Sequence, residues 1–182
     1  MKKTVLIFGL ISGAISALMM LVTMPFTEHI SYDRALLMGY TNIVLSFLLV
    51  YFGIRSYRDN VAEGQINFAK AFSVGILITL ISCAIYVFTW EIVYFGFKNV
   101  SMDHYYAHMI ERAKASGGSD AAIAAKVQEI NHTRQMYGNP LFNSLLTFIE
   151  PFPVGLVITF ISAAILRKKP QPQTTQSPQP AA

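Results

Sequence analysis

Between Leu141 and Leu166 a single residue, Glu150, carries a charge, and the run ends in Arg167-Lys168-Lys169. A helix rises ~1.5 Å per residue and the hydrocarbon core of a bilayer is about 30 Å thick, so the run is long enough to span one. Three more runs share this character. Residues 4–27 and 35–54 hold no charge, and residues 71–97 hold only Glu91. Four such runs in 182 residues leave little for a soluble core. They predict an all-α integral membrane protein, a four-helix bundle with helices at about 4–27, 35–54, 71–97 and 141–166.

Composition agrees. Only 13% of residues are charged, against about 25% in an average soluble domain. The net charge of +4 gathers at the helix ends, so it reads as membrane topology and not as a nucleic-acid surface. Lys2, Lys3, Arg55, Arg58, Lys70, Arg167, Lys168 and Lys169 fall on one side, and the first loop on the other side has only Arg34. By the positive-inside rule both termini are cytoplasmic and residues 98–140 lie outside. The first run reads as a retained helix. The alternative is a cleaved signal peptide, with a basic start and small residues at Ala14-Ile15-Ser16. The lone Cys83 lies inside an apolar run, which excludes an intrachain disulfide and points to a buried thiol.

The outer segment has its own periodicity. Met102, Tyr105, Tyr106, Met109, Ile110 and Ala113 recur at helical spacing, Ser116-Gly117-Gly118 breaks the pattern, and Ser119 suits an N-cap. Ile123, Val127, Ile130 and Tyr137 then share a face, and Gly138-Asn139-Pro140 ends it. This predicts an extracytoplasmic amphipathic helical hairpin at about 102–137 between helices three and four. Residues 1–169 form a single transmembrane domain on this reading. The Pro-, Gln-, Ser- and Thr-rich residues 170–182 are expected to be a disordered cytoplasmic tail.

One pattern occurs twice. Residues 72–85 and 152–165 are identical at nine of fourteen aligned positions. Gly75, Thr79 and Ser82 make a stripe of small residues at i, i+4 and i+7, and Gly155, Thr159 and Ser162 repeat it. Gly9 and Gly13 open a shorter stripe on the first helix. Lipid gives helices no hydrophobic reason to associate, so small faces that permit close backbone approach drive packing. These residues are expected to pack the bundle; a homo-oligomer contact is the alternative.

Polar residues inside the runs are the candidates for chemistry. By helical rise, Glu91 stands roughly 31 Å from Lys70 and Glu150 roughly 25 Å from Arg167, both in the outer part of the bilayer. An intramembrane carboxylate must be protonated, paired or wet. Two readings follow: a proton or cation site between helices three and four, or two interfacial glutamates reaching the headgroups. Asn42, near mid-membrane, completes the candidate polar site and is expected to hydrogen-bond a neighbouring helix. Pro151 and Pro153 are tolerated near a helix start, but kink a helix that begins at Leu141. His104, His108 and Glu111 share a helix face at a spacing able to hold a metal, without a clear fourth ligand, so no metal and no cofactor are expected. Asn131-His132-Thr133 fits the glycosylation pattern, which matters only in a eukaryotic secretory context.

The polar junctions carry a family resemblance. Arg55-Ser56-Tyr57-Arg58-Asp59 with Gly64-Gln65-Ile66-Asn67-Phe68-Ala69-Lys70-Ala71-Phe72, then Tyr137-Gly138-Asn139-Pro140-Leu141-Phe142 and Phe152-Pro153-Val154-Gly155-Leu156 through Lys169, resemble a family of small bacterial membrane proteins, the domain of unknown function numbered 4199. The resemblance covers about residues 1–169. It implies a multi-pass protein of the bacterial cytoplasmic membrane and supplies no activity and no catalytic residues. HExxH, P-loop, GxSxG and GxGxxG motifs are absent from the sequence. The expected role is therefore structural or interactive and not enzymatic. The partners are the lipid bilayer and a second copy or another membrane protein, with no nucleic acid. The alternative is a small-solute, cation or proton transporter using Glu91 and Glu150.

Overall fold

The computed structural model describes residues 1–27, 32–96 and 101–168, leaving aside the side chains of 24–27, 32, 33, 35, 36 and 101–105. The expected tail and Lys169 lie outside the described residues. The chain forms α1 (Lys2–Thr27), α2 (Tyr32–Asn60), α3 (Phe68–Gly96), α4 (Ser101–Lys114), α5 (Asp120–Tyr137), α6 (Pro140–Ile149) and α7 (Pro151–Leu166). Four segments are long and apolar enough to cross a membrane: Lys2–Thr23, Leu37–Asn60, Phe68–Gly96 and the composite Pro140–Leu166. Their large apolar side chains point outward as well as inward. Leu10, Leu18, Val22, Phe52, Phe88, Phe160 and Ile165 are all exposed on the bundle surface. Such a surface is matched by lipid and not by water, and helices that satisfy their own backbone groups are what lipid permits. The protein is an all-α membrane four-helix bundle.

The spans pack as a rhomb. α2 and α3 touch each other, and each also touches α1 and α7. Val50, Ile54, Val74 and Ile78 fill the centre with no exposed area. Glycines set the helix spacing. A Cβ on Gly9 would meet Ile81 of α3 at 2.9 Å, and one on Gly75 would meet Thr159 of α7 at 2.7 Å and Ile54 of α2 at 2.8 Å. Gly13 faces Ile85 and Gly155 faces Thr79 in the same way. Gly9 and Gly13 are thus covered by α3 of the same chain, which removes them as a face for a second copy.

One end of the bundle is closed by backbone. α2 stops at a left-handed turn, Glu63 at φ 51° and Gly64 at φ 78°. The Gly64 N–H reaches back to the Arg58 carbonyl at 2.9 Å. The turn aims Ile66 at the end of α7, where Ile66 and Lys168 exchange N–H···O bonds of 3.2 and 2.8 Å. Asn67 then caps α3, accepting from the Lys70 N–H at 2.8 Å. Among the described residues this isolated bridge is the sole β pairing.

At the opposite end α4 packs against α5. Gly117, at φ 71°, turns the chain between them, and Ser119 caps α5 by accepting from the Ala122 N–H at 3.3 Å. Tyr106 and Ile130 are the buried members of this pair. The Arg134 guanidinium lies 5.9 Å from the Tyr106 ring centroid. Asn139 then caps α6 through the N–H groups of Leu141 and Phe142, with Pro140 in the first helical position, where its missing N–H costs least.

Candidate functional site

The polar side chains within the spans meet along seams between helices. The richest seam joins α3 to α6. Asn143, fully buried, stands one turn inside the Asn139 cap, and its Oδ1 accepts from Trp90 Nε1 at 2.8 Å and from Thr147 Oγ1 at 3.2 Å. Its Nδ2 donates to the Tyr137 carbonyl at 3.1 Å, tying the end of α5 to the same point. The next residue on each helix forms a second tie: Ser144 Oγ donates to Glu91 Oε1 at 2.9 Å. Glu91 is half-buried and its carboxylate is anchored through this hydroxyl.

Glu150 has a different setting. It sits between α6 and α7 in helical conformation, φ −66° and ψ −59°, exposed on the bundle surface. Its side chain makes no hydrogen bond to a described residue. Pro151 and Pro153 lack N–H groups, so the carbonyls of Thr147 and Ile149 lose their helical donors and the fourth span divides there. This is the kink expected of a helix that begins before the prolines. Glu150 lies six residues beyond Ser144, about 9 Å of helical rise from the level of Glu91. The two carboxylates thus differ in depth by more than one helical turn. No hydrogen bond joins the two carboxylates.

Asn42 is half-buried, and its side-chain amide makes no hydrogen bond to another described residue. Its backbone carbonyl accepts from Ser46 Oγ at 2.9 Å. The interhelical bond in that region runs instead from Ser12 Oγ of α1 to the Ser46 carbonyl of α2, at 2.8 Å. Ser82 Oγ of α3 donates to the Gly9 carbonyl of α1 at 3.3 Å. At the centre of the bundle Thr79 and Thr159 share a hydroxyl–hydroxyl bond of 3.0 Å between α3 and α7, and Ser162 is buried one turn away. Buried side-chain N and O atoms all have partners among the described residues.

The side chain of His104 lies outside the described residues. His108 and Glu111 are exposed on α4. Among the described residues no group of three His, Cys, Asp or Glu side chains is close enough to hold a metal. Cys83 is a fully buried free thiol.

Trp90, Asn143, Ser144, Ser12 and Ser46 were not among the residues singled out by sequence. A signal for the first three exists in retrospect. Asn139-Pro140 fixes the start of α6, so Asn143-Ser144 must stand one turn in, level with Trp90-Glu91 near the end of the antiparallel α3. The two serines carry no comparable signal, because a serine in an apolar run as readily bonds its own helix.

The family model described as "Protein of unknown function (DUF4199)" matches residues 7–168, so the chain belongs to that family. No curated protein and no solved structure matches it.

Proposed function

We propose that this DUF4199 family member is a non-catalytic structural or interaction protein of the bacterial cytoplasmic membrane, with both termini inside and the α4–α5 pair outside. The orientation rests on the basic residues at the end that carries Arg55, Arg58, Lys70 and Arg167, against Arg34 in the first turn of α2 and, in residues 98–140, basic residues mixed with acidic ones. The role rests on one observation: polar side chains within the spans tie helix to helix at four places. The pairs Thr79–Thr159, Trp90–Asn143, Glu91–Ser144 and Ser12–Ser46 each bridge two helices. The surface left to recognise a partner is the α4–α5 pair, where His108, Glu111, Arg112, Lys126, Glu129 and His132 are exposed.

A second reading, transport of a cation or proton through Glu91 and Glu150, draws on the break at Pro151. Discontinuous helices with unpaired carbonyls are a recurrent way of building ion sites in membranes. Ion and proton flux into proteoliposomes separates the two readings. The structural role predicts flux equal to that of empty vesicles for wild type, Glu91→Gln and Glu150→Gln. Flux in the wild type that either substitution abolishes overturns it. Reporter fusions after Asn60 and Gly118 test the orientation: cytoplasmic signal at the first and periplasmic signal at the second are expected.

A further inference from the structure

The closed end of the bundle carries more positive than negative charge, Arg55, Arg58, Lys70, Arg167 and Lys168 against Asp59 and Glu63. Arg58 Nε pairs with Asp59 at 2.7 Å, and the second oxygen of Asp59 is 3.6 Å from Arg55 Nε, so this carboxylate is occupied. Arg58 also reaches the Leu166 carbonyl at 3.5 Å, which draws the end of α2 against the end of α7. The Ile66–Lys168 bridge brings the start of α3 to the same place. Lys70, Arg167 and Lys168 are exposed there, and none makes an ion pair with a described residue. Each stands at the limit of a span. Lys70 immediately precedes the apolar run that starts at Ala71, and Arg167 and Lys168 immediately follow Leu166.

We propose that Lys70, Arg167 and Lys168 form a binding surface for the phosphate headgroup of an anionic phospholipid. A positive-inside signal needs only charge in the sequence, on mobile loops. Here the Ile66–Lys168 backbone pairing and the Asn67 cap hold the backbone that carries the three cations at one end of the bundle, where the spans stop. Lysine and arginine stems are long enough to follow apolar surface while the charged head stays at headgroup level. The adjacent lipid-facing side chains Leu77, Phe160 and Ile165 are exposed and supply the acyl-chain contact. A zwitterionic headgroup brings its own cation to the site; a phosphatidylglycerol does not, so the surface discriminates between them. This inference rests on membrane insertion and not on the scaffold role.

Native mass spectrometry of the full chain, released from micelles holding equal phosphatidylglycerol and phosphatidylcholine, reads the preference directly. Retained lipid is expected to favour phosphatidylglycerol about tenfold. The triple variant Lys70→Gln, Arg167→Gln, Lys168→Gln is expected to lose that preference. The control Arg112→Gln, Lys114→Gln, Lys126→Gln removes equal charge from the α4–α5 pair and is expected to keep it, as is the charge-preserving Lys70→Arg, Lys168→Arg. Equal retention of both lipids by the wild type, or the same loss in the control as in the triple variant, overturns the proposal.

Discussion

Thr79 Oγ1 and Thr159 Oγ1 lie 3.0 Å apart, at equivalent positions of the fourteen-residue pattern that occurs in both α3 and α7. The two helices run antiparallel, since Ile66 meets Lys168 at one end and Trp90 meets Asn143 at the other. The surrounding contacts are reciprocal. Thr159 fills the space over Gly75, and Thr79 fills the space over Gly155. Such an exchange, in which i meets j and j meets i, is what a two-fold axis requires. The axis passes between the threonines, across the helices, in the orientation of an inverted repeat in the membrane plane.

The threonine pair should behave as one unit. Thr79→Val and Thr159→Val each preserve shape and remove one hydroxyl. Interhelical hydrogen bonds in membranes average about 0.6 kcal/mol by double-mutant cycle, because a stranded hydroxyl finds its own helix carbonyl. A coupling of that size is expected from reversible unfolding in mixed micelles. A double variant whose loss equals the sum of the singles removes the bond from the account of stability.

Close approach gives a second, larger effect. Gly155→Ala drives a methyl into Thr79 and to within 2.9 Å of the Phe47 ring, and Gly75→Ala meets Thr159 and Ile54. Overpacking of this kind costs about 1–3 kcal/mol. Gly39 and Gly96 have nothing within 4 Å. Gly39→Ala or Gly96→Ala should therefore be neutral, or stabilising by about 0.4–1 kcal/mol through the unfolded chain. Thermal midpoints of the four variants check the contrast, and equal losses in both pairs would contradict it.

The single tryptophan makes the α3–α6 seam visible in solution. Trp90 Nε1 donates to Asn143 Oδ1 at 2.8 Å. Asn143→Leu fills the volume but strands the indole N–H, the Thr147 hydroxyl and the Tyr137 carbonyl. An unsatisfied buried group costs about 1–3 kcal/mol. Loss of the indole hydrogen bond should shift Trp90 emission to the blue in the folded protein. Unchanged emission and stability would mean that the seam is not formed.

The architecture was largely written in the pattern of charges, and the pairings were not. Runs long enough to span, with basic residues at their ends, leave a helical bundle as the available answer. Helical spacing in 102–137 marked the faces on which Tyr106 and Ile130 are buried. A stripe of small residues says that something approaches closely, without saying what. Gly9 and Gly13 face Ile81 and Ile85, while Gly75 and Gly155 face threonines, and nothing in the stripes themselves distinguishes these outcomes. Asn42 illustrates the same limit from the polar side. An amide at mid-span invites an interhelical bond, but here the neighbouring Ser12 and Ser46 supply it.

Glu91 provides the test of whether charge or hydrogen bonding matters inside the bundle. Its Oε1 accepts from Ser144 Oγ at 2.9 Å, and Glu91→Gln keeps an oxygen at that position. If the residue is a tie between α3 and α6, the amide serves as well as the carboxylate, and stability should change by less than about 0.5 kcal/mol, the range of substitutions that disturb no buried feature. Glu91→Leu removes the acceptor and should cost about 0.6 kcal/mol, the typical worth of an interhelical bond in lipid. Ser144→Ala should cost the same, and the double variant no more than either single. Glu150, whose side chain makes no hydrogen bond to a described residue, should tolerate both Gln and Leu. A marked loss in Glu91→Gln with Ser144→Ala silent would show that the negative charge itself is needed, and would shift the balance toward the transport reading.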